Sequence, residues 1–391
     1  MHYRNKNNPD NLSILGFGCM RFPKKGNGFD HEEIERELKY AVDNGVNYFD
    51  TAYIYPGNEE ELGRALKNTG YRDRINIASK MPHYHMKSVQ EAEKRFNEQL
   101  SRLGTDHIDY YLMHMLPDEK TWEALCQRGI DKWLEEKKKN GQIRNVGYSY
   151  HGSSEMFIKI LNAYNWDFTQ IQYNYLDENS QAGVRGLTAA AGKGIPVIIM
   201  EPLRGGRLVN GIPEKAKNMI SDATGWTAAE FGLKWLWNQP EVTTVLSGMN
   251  SMDMVKENIR IASDTAENSL TEADMSTYEK VIQEIEKKVK VKCTGCAYCM
   301  PCPAGVDIPG CFKIYNSSYV DGYANAWREY FMCTAMKNEK SMASLCKKCG
   351  KCEAHCPQGI HIRDELTKVK RRFESPVFKA ATFFAPGHLK Q

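Results

Sequence analysis

Eight short apolar runs separated by amphipathic stretches, and an abrupt concentration of cysteine after residue 292, predict an α/β protein in two parts. Residues 1–288 read as a (β/α)8 barrel of the TIM type, and residues 289–391 as a small α-helical, ferredoxin-like module. The bulk properties agree. The chain has 391 residues, 41% hydrophobic and 26% charged, which suits one large domain and one small one. A net charge of +3 is too small to argue for nucleic acid or an anionic membrane. No apolar run approaches the ~18 residues that a membrane span needs. The basic stretch Lys368–Arg372 reads as the solvated face of a terminal helix. With no export signal and many thiols, a reducing cytoplasm is the expected setting.

The strand candidates in order are Leu15–Met20, Val46–Thr51, Ile75–Lys80, Ile108–His114, Ile143–Ser149, Phe168–Tyr173, Ile195–Met200 and Val242–Gly248. Glu32–Val42 and Val89–Leu103 show helical spacing of apolar residues, and similar segments fill most other gaps. Gly45, Gly104, Gly141 and Gly194 stand where helices should stop. A doubly wound sheet is the competing fold, but Gly16-x-Gly18 lacks the third glycine and the helix start of a dinucleotide fingerprint. A further helix opens at Thr271, with apolar residues at Met275, Tyr278, Val281, Ile282 and Ile285, and ends in lysines. Composition changes at Cys293, which places a domain boundary near 288.

Ten of the twelve cysteines follow residue 292, and eight form two runs that each end in Cys-Pro. Cys293, Cys296, Cys299 and Cys302 are spaced x2, x2, x2. Cys346, Cys349, Cys352 and Cys356 are spaced x2, x2, x3, as in bacterial ferredoxins, where the fourth thiolate reaches the other cube. The expectation is two 4Fe–4S clusters with crossed ligands: Cys293, Cys296 and Cys299 with Cys356, and Cys346, Cys349 and Cys352 with Cys302. Zinc usually takes separated cysteine pairs, and a disulfide scaffold does not suit a chain whose first 290 residues hold only Cys19 and Cys126. Cys311 and Cys333 are left over. Either suits a buried thiol, and Cys311 is an alternative to Cys302 if the short last gap strains the geometry. The 43 residues from Pro303 to Leu345, helical in pattern over Tyr323–Met336, exceed what a small ferredoxin needs.

Barrel chemistry sits at the C-terminal ends of strands. There the second, third and fourth runs carry Asp50, Lys80 and His114, and Tyr55 follows in the loop after the second. Singly, each has a structural reading: a turn cap, a surface lysine, a satisfied core histidine. Together they point to acid–base work. The segment Asp50-Thr51-Ala52-Tyr53-Ile54-Tyr55, with Asn58-Glu59-Glu60-Glu61-Leu62-Gly63 behind it, resembles the aldo/keto reductases. So do Leu15-Gly16-Phe17-Gly18, Ser79-Lys80, Leu112-Met113-His114, Gly147-Tyr148-Ser149 and Gln170-Ile171-Gln172-Tyr173-Asn174. The resemblance spans roughly residues 1–285, and the cysteine-rich tail resembles that of the ferredoxin-tailed members in bacteria and archaea.

The resemblance implies a tetrad. Tyr55 is the general acid or base, Lys80 stabilises its phenolate, Asp50 holds Lys80, and His114 steers the substrate oxygen. Tyr53 is the competing tyrosine; the family's spacing selects Tyr55. The resemblance also implies a bound NADP or NAD. Ser149 and Gln170 would meet the carboxamide, Met200 would lie against the nicotinamide with Pro202 and Leu203 beyond it, and Gly248 with Asn258 would line the adenine end. Four positions depart from the family pattern. Tyr150 replaces the usual Asn, Met200 replaces a stacking aromatic, and Gly248 and Met254 stand where Lys and Arg often hold a 2′-phosphate.

The expected function is therefore NAD(P)-linked interconversion of a small, sugar-like or hydroxylated carbonyl and its alcohol. One alternative is electron exchange with ferredoxin or another carrier through the clusters. That route must join a two-electron to a one-electron process, a task a flavin usually performs; no flavin signature is visible, though barrels can bind flavin phosphate without one. Another alternative is a nucleotide-binding redox sensor without turnover, against which the intact tetrad argues.

Overall fold

The computed structural model describes residues 1–4, 10–287, 289–293, 295, 297–320, 322–356 and 358–383. Its centre is a closed barrel of eight parallel strands. They are β1 (Leu15–Gly18), β2 (Tyr48–Asp50), β3 (Asn76–Met81), β4 (Ile108–Met113), β5 (Ile143–Tyr150), β6 (Phe168–Gln172), β7 (Val197–Met200) and β8 (Val242–Ser247). Each coincides with one predicted run. The ring closes where β8 pairs with β1, Val245 opposite Leu15. Every residue of β3 and β4 is buried. That explains their continuous apolar character: side chains pointing inward fill the barrel, and those pointing outward meet helices.

Aromatic side chains seal the barrel interior. Tyr48, Tyr110 and Phe168 meet at ring distances of 5.1 and 4.9 Å, with Leu12, Leu112, Ile198 and Leu246 in the same cluster. Leu12 arrives on a short antiparallel pair, Tyr3–Arg4 with Leu12–Ser13. Gly147 is required by this packing, since a Cβ there would stand 2.6 Å from Phe168.

The outer layer follows the predicted stops and starts. Helix α1 (His31–Asp43) is capped by Asp30, which accepts from the Glu33 amide. Helix α2 spans Asn58–Thr69, and α3 (Val89–Leu103) runs from a Ser88 cap to Gly104 in the left-handed conformation. Thr271 and Asp274 form a reciprocal capping box on the helix Glu272–Glu286. That helix lays Tyr278 on Phe231 at 3.8 Å.

The tail has its own apolar core, including Val306, Phe312, Tyr330, Leu366, Val369, Phe373 and Phe378. Its helices span Ile308–Val320, Tyr323–Tyr330, Ile362–Phe373 and Pro376–Phe383. The predicted helix over Tyr323–Met336 is present as an α-helix to Tyr330 that widens into a π turn over Phe331–Ala335. There the Thr334 hydroxyl donates to the Tyr330 carbonyl, competing with the regular ladder. The expected boundary residue, 288, lies outside the described residues. No helix among the described residues is long and apolar enough to cross a membrane.

Candidate active site and cysteine cavities

Three neighbouring strands carry polar residues at their C-terminal ends. Asp50 ends β2, Lys80 is the last but one residue of β3, and His114 follows β4. The Lys80 ammonium donates to Asp50 Oδ1 at 2.6 Å and to the Thr51 carbonyl at 2.7 Å. Gln170, from the far side of the barrel, donates to Asp50 Oδ2 at 2.9 Å. Both carboxylate oxygens are thus occupied, and the buried lysine keeps a counter-charge.

Tyr55 reaches into this group from the β2–α2 loop. Its ring centroid lies 5.6 Å from Lys80 Nζ and 6.2 Å from the His114 ring, edge to face. Its hydroxyl makes no hydrogen bond with any described residue. Tyr53 is occupied elsewhere: its hydroxyl accepts from Arg95 at 2.8 Å and donates to Glu98 at 3.0 Å, and Arg102 lies over its ring. Of these two tyrosines, Tyr55 is the one whose hydroxyl has no partner among the described residues.

The electrostatics of the pair are unequal. Burial pushes the Tyr55 phenol above its ordinary value, with Asp50 and Glu201 adding to the shift and Arg328 opposing it. The sequence reading had Lys80 lowering this phenol. Here Asp50 already neutralises Lys80, so burial dominates. Burial, then Lys80, His83 and His151, hold His114 far below the usual imidazole range. The shift favours the neutral imidazole, and its Nδ1 is buried without a hydrogen-bond partner among the described residues.

The expected nucleotide residues gather around the same rim. The Ser149 hydroxyl accepts from the Met115 amide at 2.8 Å. Gln170 has committed its amide nitrogen to Asp50. Met200 ends β7 half-buried, Pro202 is buried, and Leu203 is half-buried. Asn258 donates to Ser247 at 2.9 Å beside Gly248. Two features escaped the sequence reading. Arg21 lies across Gly248, its Cδ 3.1 Å from where a Cβ would stand, and donates to the Gly205 carbonyl at 3.0 Å. Arg204, in the loop after β7, is fixed by buried Asp177, which also pairs with Lys313 of the tail at 2.6 Å. These cations push Asp177 far below the usual carboxylate range despite burial. Arg21 could have been suspected from its place just after the first strand; nothing in the sequence links residues 177, 204 and 313.

The cysteines line two cavities. Cys302, Cys346, Cys349 and Cys352 surround one, with Pro303 and Arg363. Cys293, Cys299 and Cys356 surround the other, with Pro309 and Phe312, and Ile308 borders both. Cys296 lies outside the described residues. The thiols ring these spaces and do not converge on one point; among the described residues no three His, Cys, Asp or Glu groups could hold a single ion. Cys311 borders neither cavity. It is buried, its thiol lies 3.7 Å from the Ser341 carbonyl, and burial pushes it well up. Cys333 is buried in the same way.

Known proteins extend these observations. The tail matches the family described as a 4Fe-4S dicluster domain over residues 292–361. An aldo-keto reductase of Mycolicibacterium smegmatis is 31% identical over 235 residues, 59% of this chain and 75% of that one. An aldo-keto reductase of Schizosaccharomyces pombe whose name carries NADP(+) is 26% identical over 291 residues, 64% of this chain and 83% of that one. Among solved structures, an aldo-keto reductase from Bacillus halodurans in its holo form superposes with a TM-score of 0.58 at 27% identity, covering 72% of this chain and 96% of that one. The barrel matches the aldo/keto reductase family over residues 14–283. The chain therefore belongs to the aldo/keto reductase family.

Proposed function

We propose that the protein interconverts a small carbonyl compound and its alcohol with NADP or NAD, using Tyr55 as proton donor and acceptor. The observation that carries this reading is the group Asp50, Lys80, His114 and Tyr55, in which the Tyr55 hydroxyl has no partner among the described residues. When bound, the nucleotide supplies or accepts the hydride. His114, neutral, donates a hydrogen bond to the carbonyl oxygen and polarises it. Tyr55 gives its proton to that oxygen as negative charge develops there. The Lys80 ammonium, kept in place by Asp50 and by Gln170's bond to Asp50, offsets part of the cost of the buried phenolate. In the reverse direction Tyr55 takes the alcohol proton.

The NADP in the name of the S. pombe relative supports a nicotinamide nucleotide. Ser149, Met200, Pro202, Leu203, Gly248 and Asn258 line the face that would receive it. With Gly248 and Met254 uncharged, Arg21 is a cation at this rim, placed between the loops after β7 and β8 where barrels commonly hold phosphate. Phosphate shared by both nucleotides is its natural partner, which favours weak discrimination between them.

The eight cysteines fit two 4Fe–4S clusters with the crossed ligand sets described above. The grouping of thiols around cavities supports a polynuclear cluster over a single ion. Such clusters supply one-electron storage, and their natural partner is ferredoxin or a similar carrier in a reducing cytoplasm. The deciding experiment is substitution. Tyr55→Phe should lower turnover on a carbonyl substrate roughly 10²-fold or more, while Tyr53→Phe retains it. Full activity in Tyr55→Phe would sink the assignment.

A further inference from the structure

The two cysteine runs differ in charge and in what they face. From Cys293 to Cys302 the chain holds no charged residue. From Cys346 to Asp364 it holds Lys347, Lys348, Lys351 and Arg363 against Glu353 and Asp364. Cys293 borders both the first-run cavity and a second space between module and barrel, which Tyr175, Glu178 and Gln181 line from the barrel side. The cavity of Cys302, Cys346, Cys349 and Cys352 has no barrel residue in its wall. One cysteine cavity thus faces the barrel and the other faces outward. Cys349, on the outward one, is the single exposed cysteine among the described residues.

Lysines surround that thiol. Lys347, Lys348 and Lys351 are exposed, and none forms an ion pair with any described residue. The backbone holds them there: the Lys348 amide donates to Cys346 Sγ at 3.4 Å, and Lys351 opens the short helical turn Lys351–Ala354. Arg363 also lines the cavity, but it donates to Glu353 at 2.7 and 3.0 Å, so that pair adds little net charge. Three uncompensated cations therefore stand within five residues of chain, with exposed Asp364 the one acidic group left over nearby. The bland role for them is to balance the charge of a cluster. Lys347 is placed for that, since it borders the cavity; Lys348 and Lys351 do not border it, and their charge faces solvent.

Resting on the two-cluster reading above, we propose that the face centred on Cys349, with Lys347, Lys348 and Lys351, is the docking surface for an acidic protein that carries one electron. A single electron passes between that carrier and the module, so one is oxidised as the other is reduced, and no atom moves. Opposite charge across such a face speeds and orients the encounter more than it tightens the complex, which suits a carrier that must leave again. The uncharged first run, turned toward the barrel, is then the inner station.

The test mixes the full-length, cluster-loaded protein anaerobically with a reduced, acidic 2Fe–2S ferredoxin in a stopped-flow spectrometer. The second-order rate of electron transfer should fall roughly tenfold or more between ~0.02 and ~0.5 M salt. The combined variant Lys347→Glu, Lys348→Glu and Lys351→Glu should lose roughly tenfold to hundredfold at low salt and little at high salt, with its iron content unchanged. The same reversal at exposed Lys139, Lys159 and Lys193, on the barrel's outer helices or at their ends, should cost less than about threefold. Equal loss in the two variants, a loss that persists at high salt, or a wild-type rate indifferent to salt overturns the proposal. If the glutamate variant loses iron, glutamine at the same three positions takes its place, with a smaller loss of the same salt dependence expected. Iron lost from both overturns the proposal, since the lysines then act on the cluster. If the wild type holds no iron–sulfur cluster, the cluster reading fails, and calorimetric titration with the oxidised ferredoxin decides the surface separately. Binding that the glutamate variant weakens roughly tenfold or more upholds it; no binding by the wild type, or equal binding by both, overturns it.

Discussion

Tyr53 and Tyr55 lie two residues apart and have opposite fates. The first is consumed by Arg95, Glu98 and Arg102; the hydroxyl of the second has no partner among the described residues. The resemblance selects the second of them, and the structure agrees only in that the Tyr53 hydroxyl is taken up elsewhere. The partner of Gln170 was not legible, since a residue type does not reveal that its amide points 120 positions back to Asp50. Arg21 belongs to the same class of hidden contacts. It should hold phosphate common to both nucleotides, so Arg21→Ala is expected to weaken NADH and NADPH alike, each by about tenfold, or 1.4 kcal/mol. Fluorescence titration with both nucleotides checks this. A loss confined to NADPH would move Arg21 to the 2′-phosphate, and no loss would remove it from the site.

Helix α1 shows how an element's sequence can match its place yet carry a local conflict. Its apolar spacing was predicted and is present, but Glu37 is fully buried and both its carboxylate oxygens lack partners among the described residues. Burial, with Glu33 and Asp30 adding, pushes its pKa up to about 8. The folded value thus exceeds the unfolded one of about 4.3. As pH rises between them the unfolded chain ionises and the folded one does not, so stability falls through that window and levels off above about 8. Glu37→Gln should therefore leave the melting temperature nearly unchanged at pH 4–5 and raise it increasingly toward pH 8–9. An equal shift at both ends would show that Glu37 does not titrate there. The π turn at Phe331–Ala335 is the converse case. Its helical pattern was readable, but the widening into a π turn, where the Thr334 hydroxyl also bonds back to the Tyr330 carbonyl, is not recorded in periodicity.

At the scale of the whole molecule, the barrel was readable because eight buried strands leave eight apolar runs, each broken by a helix stop. The docking of the tail was not. It rests on Asn338, Lys337 and Glu329 meeting loops 148 to 220 positions earlier, and on Lys313 completing the Asp177 pair. Cys302, whose spacing is short, borders a cavity with Cys346, Cys349 and Cys352 of the second run, whereas Cys311 borders neither cysteine-lined cavity. Metal analysis of anaerobically purified variants provides the check. Cys311→Ala should retain about eight iron atoms per chain, whereas Cys302→Ala should fall toward about four. The reverse result would reassign the ligand.

The central claim is direct hydride exchange between nucleotide and substrate carbon, with Tyr55 handling the proton. It is tested most directly by isotope transfer. Anaerobic reduction of a carbonyl substrate should be run with NADPH or NADH deuterated at the transferring position, and the alcohol examined by mass spectrometry. The account predicts deuterium on the carbinol carbon in the wild-type product, with the rate of its appearance falling roughly 10²-fold in Tyr55→Phe. Product carrying only solvent hydrogen at that carbon, formed at full rate by both proteins, would contradict it and would mean that electrons reach the substrate by another route.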